Sequence, residues 1–334
     1  MIKISIAMTT YNGSKYIVEQ LDSLKNQTLP ADEVLIFDDG SSDDTPQIVS
    51  SYIKENELTN WSFSVNKNNL GFKENFFQAI EKTSGDYIFL CDQDDVWHSN
   101  KIEVMIGLLE RNKDIQMLCT GFRKIDENSN PIIEKHKSFT SNNGLIKGRI
   151  KTGTIKKIEL RKIIRYNISP GCTSACTKKC KEFYLKNASK KAPHDWELSL
   201  FGCILHGLYF YNAVLNDYRL HENNTIGFAD DAQGFNIKMR LSKTQELRMK
   251  FLKTEFMRTQ AYSRDGLLKN LNMNDKRVLK RYAWFVKQRW LGLTTLRIRY
   301  WFKTLLFLPD YLTMVGLRGL VGDFLLIVTR YGLK

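Results

Sequence analysis

The chain has 334 residues, a formal net charge of +14 and six cysteines. This length suits one large domain with an extension and allows a sizeable buried core. The opening apolar run is too short for a signal peptide, and the cysteines are scattered. We therefore expect an intracellular protein and exclude a secreted domain held together by disulfides.

Short apolar runs alternate with helical patterns over the first ~120 residues. Runs of this length predict buried strands. Strand–helix alternation predicts an α/β fold with a mostly parallel sheet flanked by helices. The predicted strands are 2–8, 33–38, 61–65, 87–92 and 115–122, and the predicted helices are 14–26, 45–56, 72–83 and 99–112.

Polar side chains follow the first two strands. Tyr11 after the first strand can stack on a nucleobase, and Thr9 can hydrogen-bond to it. Asp38 and Asp39 end the second strand, where they can accept hydrogen bonds from a base N–H or a ribose hydroxyl. Open α/β sheets bind ligands at this end of their strands, so we expect a nucleotide there.

An acidic turn, Asp-Gln-Asp-Asp at 92–95, follows the apolar strand 87–92. Carboxylates crowded at the end of a buried strand repel one another and are costly to desolvate. A cation among them removes that cost, and oxygen ligands suit Mg²⁺ or Mn²⁺ bridging to a diphosphate. The competing interpretation is an acidic surface turn that binds nothing.

The middle of the chain is less regular. Its polar residues favour a loop over part of 128–154 and a connector over 222–236. Cys172, Cys176 and Cys180 stand four apart, but no fourth ligand completes a zinc site nearby, which favours small buried residues on one helix face. The remaining predicted elements are a helix at 195–206, a strand at 208–215 and helices over most of 240–330.

The charge is concentrated at the C-terminal end. Residues 241–334 carry 19 Lys and Arg against 6 Asp and Glu, whereas residues 1–240 carry 31 against 30. Large apolar and aromatic residues accompany these cations, which is typical of segments that lie on an anionic membrane. No run there reaches the ~20 apolar residues of a spanning helix. A solvated helical subdomain, an oligomer contact and a nucleic-acid site compete with the membrane interpretation, the last being the weakest.

Several short segments carry a family resemblance. They are Thr9-Thr10-Tyr11-Asn12, Asp38-Asp39-Gly40-Ser41, Asn69-Leu70-Gly71, Asp92-Gln93-Asp94-Asp95, Gly171-Cys172-Thr173, His194-Asp195-Trp196 and Tyr218-Arg219-Leu220-His221-Glu222-Asn223-Asn224. Their order and spacing over roughly residues 1–228 resemble those of family 2 glycosyltransferases, which are inverting, metal-dependent enzymes with a GT-A fold. The last three segments and the wording of the acidic turn resemble the subgroup that includes bacterial rhamnosyltransferases.

The resemblance implies a donor site. Asp94 matches the position that ligates the metal, and Asp92 matches the one that touches ribose or the metal's shell. Asp95 supports either role, and Gln93 belongs to the same nucleotide-sugar site. The metal implied is Mn²⁺ or Mg²⁺, at which His221 is a further candidate ligand.

Other candidates follow from the same resemblance. Arg219 lies in a segment that the family often uses near the diphosphate, and Lys73 could reach it too, although a solvated lysine at a helix start is an equal alternative. Asp195 is the implied base, with an N-cap as its alternative role. His194 and Trp196 are expected to shape the acceptor site. Glu197 departs from the subgroup and leaves open which of the two carboxylates acts.

The sequence thus predicts a transferase with two parts. Residues 1–235 form the GT-A domain, with a nucleotide-sugar half at 1–120 and an acceptor half at 121–235, and residues 236–334 form a helical region for membrane association or oligomerisation. The first choice of donor is dTDP-rhamnose, with UDP-hexoses and UDP-N-acetylhexosamines second. The expected acceptor is a lipid-linked or growing surface polysaccharide at the inner face of a bacterial plasma membrane. A non-catalytic membrane scaffold is the alternative from another class.

Overall fold

The computed structural model describes residues 2–133, 139–189, 192–222, 245–262, 267, 269, 271–308, 312 and 316–331. The chain divides into two compact units, Met1–Gly234 and Phe235–Lys334. The predicted connector at 222–236 lies outside the described residues apart from Glu222.

The first unit alternates strands and helices. Its strands are β1 (Ile4–Thr10), β2 (Glu33–Asp38), β3 (Trp61–Val65), β4 (Tyr87–Cys91), β5 (Val96–Trp97), β6 (Met117–Ile125), β7 (Thr140–Ser141), β8 (Ile146–Lys147), β9 (Ile155–Lys157), β10 (Ser174–Thr177) and β11 (Leu208–Arg219). Its α-helices are α1 (Ile17–Lys25), α2 (Thr45–Glu55), α3 (Phe72–Lys82), α4 (Lys101–Arg111), α5 (Leu160–Ile163), α6 (Lys178–Asn187) and α7 (His194–Ile204).

One nine-stranded sheet organises these elements, in the order β3-β2-β1-β4-β10-β6-β11-β5 with β9 beside β11. Its longest pairings are parallel, β1 with β2 and β6 with β11. Helices cover the sheet, so the predicted α/β fold with a mostly parallel sheet is confirmed. Strand β1 is buried along its whole length, as expected for a parallel strand covered on both faces.

Apolar periodicity accounts for the packing. Ile4, Ile6 and Met8 alternate along β1 and join one core with the apolar positions of α1 and α4. Helix α3 packs on β1 and β2 and also meets α6 and α7. Because β1, β2 and β4 run parallel, their carboxyl ends lie at one edge of the sheet.

One strand of this unit was not predicted, and one prediction was wrong. Strand β10 enters the sheet antiparallel between β4 and β6, although Ser-Ala-Cys-Thr shows no strand pattern. The cysteines 172, 176 and 180 therefore do not share a helix face, because they lie in a 3₁₀ turn (Gly171–Thr173), in β10 and in α6. All six cysteines are free and buried.

The second unit is helical in its described part. It contains α8 (Gln245–Tyr262), α9 (Met273–Thr295), α10 (Ile298–Leu305) and α11 (Gly316–Tyr331). Leu252, Leu293 and Ile327 form its small apolar core, beside an ion pair between Arg289 and the buried Asp323. Among the described residues, no helix has both the length and the apolar character needed to cross a bilayer.

Candidate active site

The predicted donor residues gather at the carboxyl edge of the sheet. The register pairs Thr10 with Asp38 across β1 and β2, and Met8 with Cys91 across β1 and β4. The polar residues that follow these three strands therefore emerge side by side. Tyr11 is 48% exposed there, and its ring is free to meet a planar ligand, whereas Thr9 is buried.

Asp38 shapes the turn after β2. Its fully buried carboxylate accepts hydrogen bonds from Thr10 Oγ1 at 2.7 Å, from the Gly40 and Ser41 amides, and from Ser41 Oγ. A carboxylate has about four lone-pair positions, and these four donors fill them. Asp38 therefore acts on the site by fixing the turn, and its direct contact with a ligand stays a prediction.

Asp39 holds the neighbouring loop in the same way. Its buried carboxylate accepts from the Leu70 and Gly71 amides, both at 2.8 Å, and from Asn66 Nδ2 at 3.1 Å. Gly71 has a φ of +81°, which favours glycine. Asp39 thereby fixes the start of α3, whose second residue is the half-buried Lys73.

Gln93 links the acidic turn to the end of β1. Its Oε1 accepts from the Tyr11 amide at 2.7 Å, and its Nε2 donates to the Tyr11 carbonyl at 2.9 Å. A Cβ on Gly13 would lie 2.3 Å from Gln93 Oε1, so only glycine leaves room for this amide. Gln93 therefore positions Tyr11, and its direct contact with the donor stays a prediction.

Two carboxylates of the acidic turn have different surroundings, since Asp94 contacts a histidine and Asp95 is buried. Asp94 Oδ2 lies 2.8 Å from His221 Nε2, so the two candidate metal ligands predicted from distant segments meet. Asp95 is buried and accepts from the Arg219 amide at 3.1 Å and from Asn216 Nδ2 at 3.4 Å. Burial raises the pKa of Asp95 to about 7, and the Asp94 charge adds to this shift.

These residues fit a hard divalent ion. Asp92, Asp95 and Cys172 each present a ligand atom, and these three atoms lie within 4.8 Å of one another. Asp94 and His221, which contact each other, are two further candidate ligands. Burial raises the pKa of the Cys172 thiol well above its usual value, which keeps it protonated and leaves oxygen ligands to dominate. Burial also raises the pKa of Asp92, with the charges of Asp95, Asp94 and Asp195 as further causes.

Arg219 ends β11, and its side chain is 0% exposed. It donates to the Asp94 carbonyl at 2.8 Å, to Glu19 at 2.6 Å and to Ser129 Oγ at 2.9 Å. These partners occupy its donors within the protein, and the expected contact with a diphosphate stays a prediction. Arg219 joins α1, the acidic turn and the segment after β6.

Asp195 lies in the first turn of α7, whose N-cap is Pro193, so the alternative N-cap role was wrong. Its Oδ2 accepts from Asn167 Nδ2 and its Oδ1 from the Trp196 amide, both at 2.7 Å. Burial raises the pKa of Asp195 to about 6, and the two hydrogen bonds limit the rise. The carboxylate is therefore mostly ionised at neutral pH and is a competent proton acceptor.

The 3₁₀ turn lies between Asp195 and the acidic turn. A Cβ on Gly171 would stand 3.1 Å from the Asp195 Cβ and 3.1 Å from His194 Nε2, and Cys172 sits beside Asp92 and Asp95. The charge of Asp195 is one cause of the raised pKa of Asp92. Asp195 and the acidic turn are therefore close enough for their charges to interact, and the 3₁₀ turn lies beside both.

The neighbours of Asp195 are tied into the protein. Glu197 is buried and accepts from the Ser189 amide and hydroxyl, which directs it away from a second base role. Trp196 donates its indole N–H to the Ile163 carbonyl at 2.6 Å. The buried His194 ring stacks on Phe76 with centroids 3.6 Å apart, and burial lowers its pKa to about 3, so it is neutral.

Comparison with known proteins identifies the family. The sequence profile described as "Glycosyl transferase family 2" matches residues 5–177, which is half of the chain. The chain belongs to glycosyl transferase family 2. Its candidate active site is therefore that of a glycosyltransferase, and the match spans the segment from β1 to the end of β10.

Relatives of this family 2 glycosyltransferase agree with the assignment. An uncharacterized glycosyltransferase of Rickettsia typhi is 25% identical over 85% of this chain and 88% of its own length. The "dTDP-rhamnosyl transferase RfbG" of Shigella flexneri is 29% identical over 66% of this chain and 73% of its own. The fold matches the mannosyltransferase PcManGT of Pyrobaculum calidifontis, solved with GDP-Man and Mn²⁺, with a TM-score of 0.56, 13% identity, and coverage of 98% of this chain and 87% of that one. The predicted GT-A fold is thus confirmed.

The sequence analysis of this glycosyltransferase did not predict the burial of Lys101. Lys101 begins α4, is fully buried, and donates to the Cys172 carbonyl and to Asn216 Oδ1. Its ammonium lies 3.5 Å from the Trp97 ring centroid, and burial lowers its pKa to about 8. A lysine at a helix N-terminus opposes the helix dipole, and this was the available signal of an unusual environment.

Proposed function

We propose that this glycosyltransferase moves a hexosyl residue from a nucleoside diphosphate to a saccharide acceptor with inversion at the anomeric carbon. The observation that supports it best is that Asp195 and the acidic turn border the same 3₁₀ turn, near enough for the Asp195 charge to act on Asp92. Inversion by one displacement needs a base and a leaving group on opposite faces of the sugar, and we propose Asp195 as the base and a diphosphate held at the acidic turn as the leaving group.

In the proposed step the acceptor hydroxyl oxygen bonds to the anomeric carbon while the bond from that carbon to the diphosphate oxygen breaks. The hydroxyl proton goes to Asp195, and the nucleoside diphosphate leaves. Asn167 and the Trp196 amide orient the Asp195 carboxylate for this transfer. The neutral His194 and the anchored Trp196 shape the acceptor side indirectly, through the position of α7.

For the donor, Tyr11 is proposed to stack on the base, with Thr9 beside it and Lys73 reaching the diphosphate from α3. Asp94, His221 and Asp92 would hold the divalent ion, with Asp95 supporting the turn. An ion bound there, Mn²⁺ or Mg²⁺, would neutralise charge on the departing diphosphate. The presence of Mn²⁺ beside GDP-Man in the Pyrobaculum mannosyltransferase favours this assignment.

The proposed donor is dTDP-rhamnose. The similarity to the Shigella dTDP-rhamnosyl transferase, over two thirds of the chain, favours it over a UDP-sugar. The proposed acceptor is a lipid-linked or growing surface polysaccharide at the cytoplasmic face of the membrane, since the basic charge of residues 241–334 suits an anionic surface. The division into a transferase domain at 1–235 and an extension from 236 is part of this proposal.

Thermal unfolding tests the donor site. dTDP-rhamnose with Mn²⁺ is expected to raise the midpoint, because a ligand at about 100 Kd stabilises the native state by roughly 2.7 kcal/mol. Chelator and the Asp94→Asn variant should each abolish the shift. The control is Asp44→Asn, which changes an exposed aspartate of the same unit that makes no cap hydrogen bond.

The other outcomes separate the alternatives. A metal-dependent shift with UDP-sugars and not with dTDP-rhamnose would identify the donor as a UDP-sugar, which is the second choice. No shift with any nucleotide, with or without metal, would contradict the donor site and favour a non-catalytic scaffold. Detection of rhamnosyl transfer to a saccharide acceptor, with the opposite anomeric configuration in the product, would complete the assignment.

A further inference from the structure

Two helices of the second unit leave apolar stripes uncovered. On α10 and its C-cap, Ile298, Phe302 and Leu306 repeat every four residues and are 37%, 54% and 74% exposed. On α11, Leu317, Val321, Leu325 and Val328 are 42–65% exposed. Residues at this spacing share one helix face, so each helix presents a continuous apolar stripe.

The opposite sides of these helices are already used for packing. Leu320 and Ile327 of α11 are buried, and Trp301 of α10 donates to the Leu320 carbonyl at 3.2 Å. Helix α11 is therefore apolar on two sides, with one side packed and the other exposed. Contiguous apolar surface of this kind marks an interaction site, because a monomeric protein rarely leaves it in water.

Charge identifies the partner. From residue 276 onwards the sequence carries 12 Lys and Arg against 2 Asp and Glu, and one of these two, Asp323, is buried against Arg289. Exposed cations flank the α10 stripe at Arg297, Arg299 and Lys303. A second copy of the same face would bring like charges together, whereas an anionic surface would complement them.

We propose that the stripes of α10 and α11 insert into the surface of an anionic bilayer, with the cations of α10 at its headgroups. Apolar side chains on one face and Lys or Arg beside them are the features of helices that lie in a membrane interface. Nucleic acid would leave the aliphatic stripes uncovered, because its interfaces are polar and charged. This inference deepens the membrane location in the proposed function by naming the side chains that enter the bilayer surface, and vesicle binding can be tested without sugar transfer.

The test is sedimentation of the full chain with vesicles of phosphatidylcholine alone or mixed with phosphatidylglycerol. The wild-type chain should bind the mixed vesicles more strongly, and added salt should weaken the binding. Phe302→Gln with Leu306→Gln, and separately Leu317→Gln with Leu325→Gln, should each weaken binding about ten-fold or more. Arg297→Gln with Arg299→Gln should reduce the preference for phosphatidylglycerol.

The matched control is Met273→Gln, which removes a 74% exposed apolar side chain from the start of α9, away from both stripes. It should bind vesicles as the wild type does. Circular dichroism of each variant verifies that it is folded. Stripe variants that are folded and bind like the wild type would overturn the proposal. So would a lipid-free dimer, detected by light scattering, that the same substitutions dissociate.

Discussion

The two units of this glycosyltransferase handle polar and apolar groups in opposite ways. In the first unit, charged side chains such as Arg219, Asp38 and Lys101 are buried, and their donors and acceptors meet internal partners. In the second unit, large apolar side chains such as Leu306 and Leu317 are exposed beside a strong excess of cations. The first pattern suits the preorganised reaction site, and the second suits the membrane-docking surface, that we propose above.

The comparison predicts that the largest losses of activity come from single polar atoms in the first unit. Asp195→Asn keeps the shape but cannot accept a proton, so kcat should fall by about 10²–10⁴-fold. Donor-induced thermal stabilisation should remain. Glu197→Gln is the matched control, because Glu197 faces Ser189, and it should keep kcat within a few fold. Equal losses in both variants would contradict the assignment of the base.

The pH dependence of kcat tests the same carboxylate. The pKa of Asp195 is raised to about 6, so the ionised, active form accumulates as pH rises through that value. Activity should therefore be lost as pH falls from 7 to 5 and should approach a plateau above 7, before other groups titrate. A rate that is flat over this interval would exclude Asp195 as the titrating base.

Arg219→Met should lower stability rather than donor affinity. The substitution removes donors to Glu19, Ser129 and the Asp94 carbonyl and leaves these groups unmatched, so we expect a loss of roughly 3–5 kcal/mol. Denaturant unfolding measures it. Glu19→Gln changes a partner of Arg219 that is 45% exposed, so it should lower the free energy of unfolding much less. This variant can still be measured if Arg219→Met does not fold. A raised donor KM with unchanged stability would support the diphosphate role.

Lys101→Met should cost about 1–3 kcal/mol, because Asn216 Oδ1 and the Cys172 carbonyl lose their donor inside the protein. The lost positive charge also leaves Asp92 and Asp95 less compensated, so Mn²⁺ should recover part of the loss. Unfolding with Mn²⁺ and with chelator measures both effects. A loss that is the same in the two conditions would show that Lys101 is independent of the acidic cluster.

The smallest effects are expected on the exposed stripes of the second unit. Leu317→Gln and Leu325→Gln should change the free energy of unfolding by no more than about 0.5 kcal/mol, as is usual at the surface. Leu293→Ala, in the core of the same unit, should cost about 2–5 kcal/mol. Thermal unfolding of the three variants gives the contrast, and a large loss at Leu317 would show that its stripe is packed in solution.

Local patterns explain what the sequence predicted well. Strands β1, β2 and β4 are apolar runs that end in polar turns, so these strands and the polar residues after them were predicted without tertiary information. The meeting of Asp94 with His221, which is 127 residues away, was expected only through the family resemblance. Strand β10 was missed because its four small residues gain strand character only from β4 and β6 on either side.

Some side-chain environments depend on distant partners. The family resemblance places Arg219 near the diphosphate, and in the structure its guanidinium also donates to Glu19, which is 200 positions away. In the sequence Lys101 is an ordinary residue at a helix start, but in the structure it donates to Asn216, which is 115 positions away. Hydrophobic periodicity and secondary-structure propensity carry no information on such pairs, because these residues meet only when the whole sheet has formed.

The buried ammonium of Lys101 also bears on how the protein meets its metal. If the bound ion were the sole counter-charge of the carboxylates, a newly made chain could not fold stably before it bound the ion. Such a chain would be exposed to aggregation and degradation. Here the chain carries a resident cation beneath its carboxylates and can complete the sheet edge first. Under the proposed function, ion supply would govern how fast the enzyme works and leave its abundance untouched, so that a metal-starved cell keeps a folded reserve.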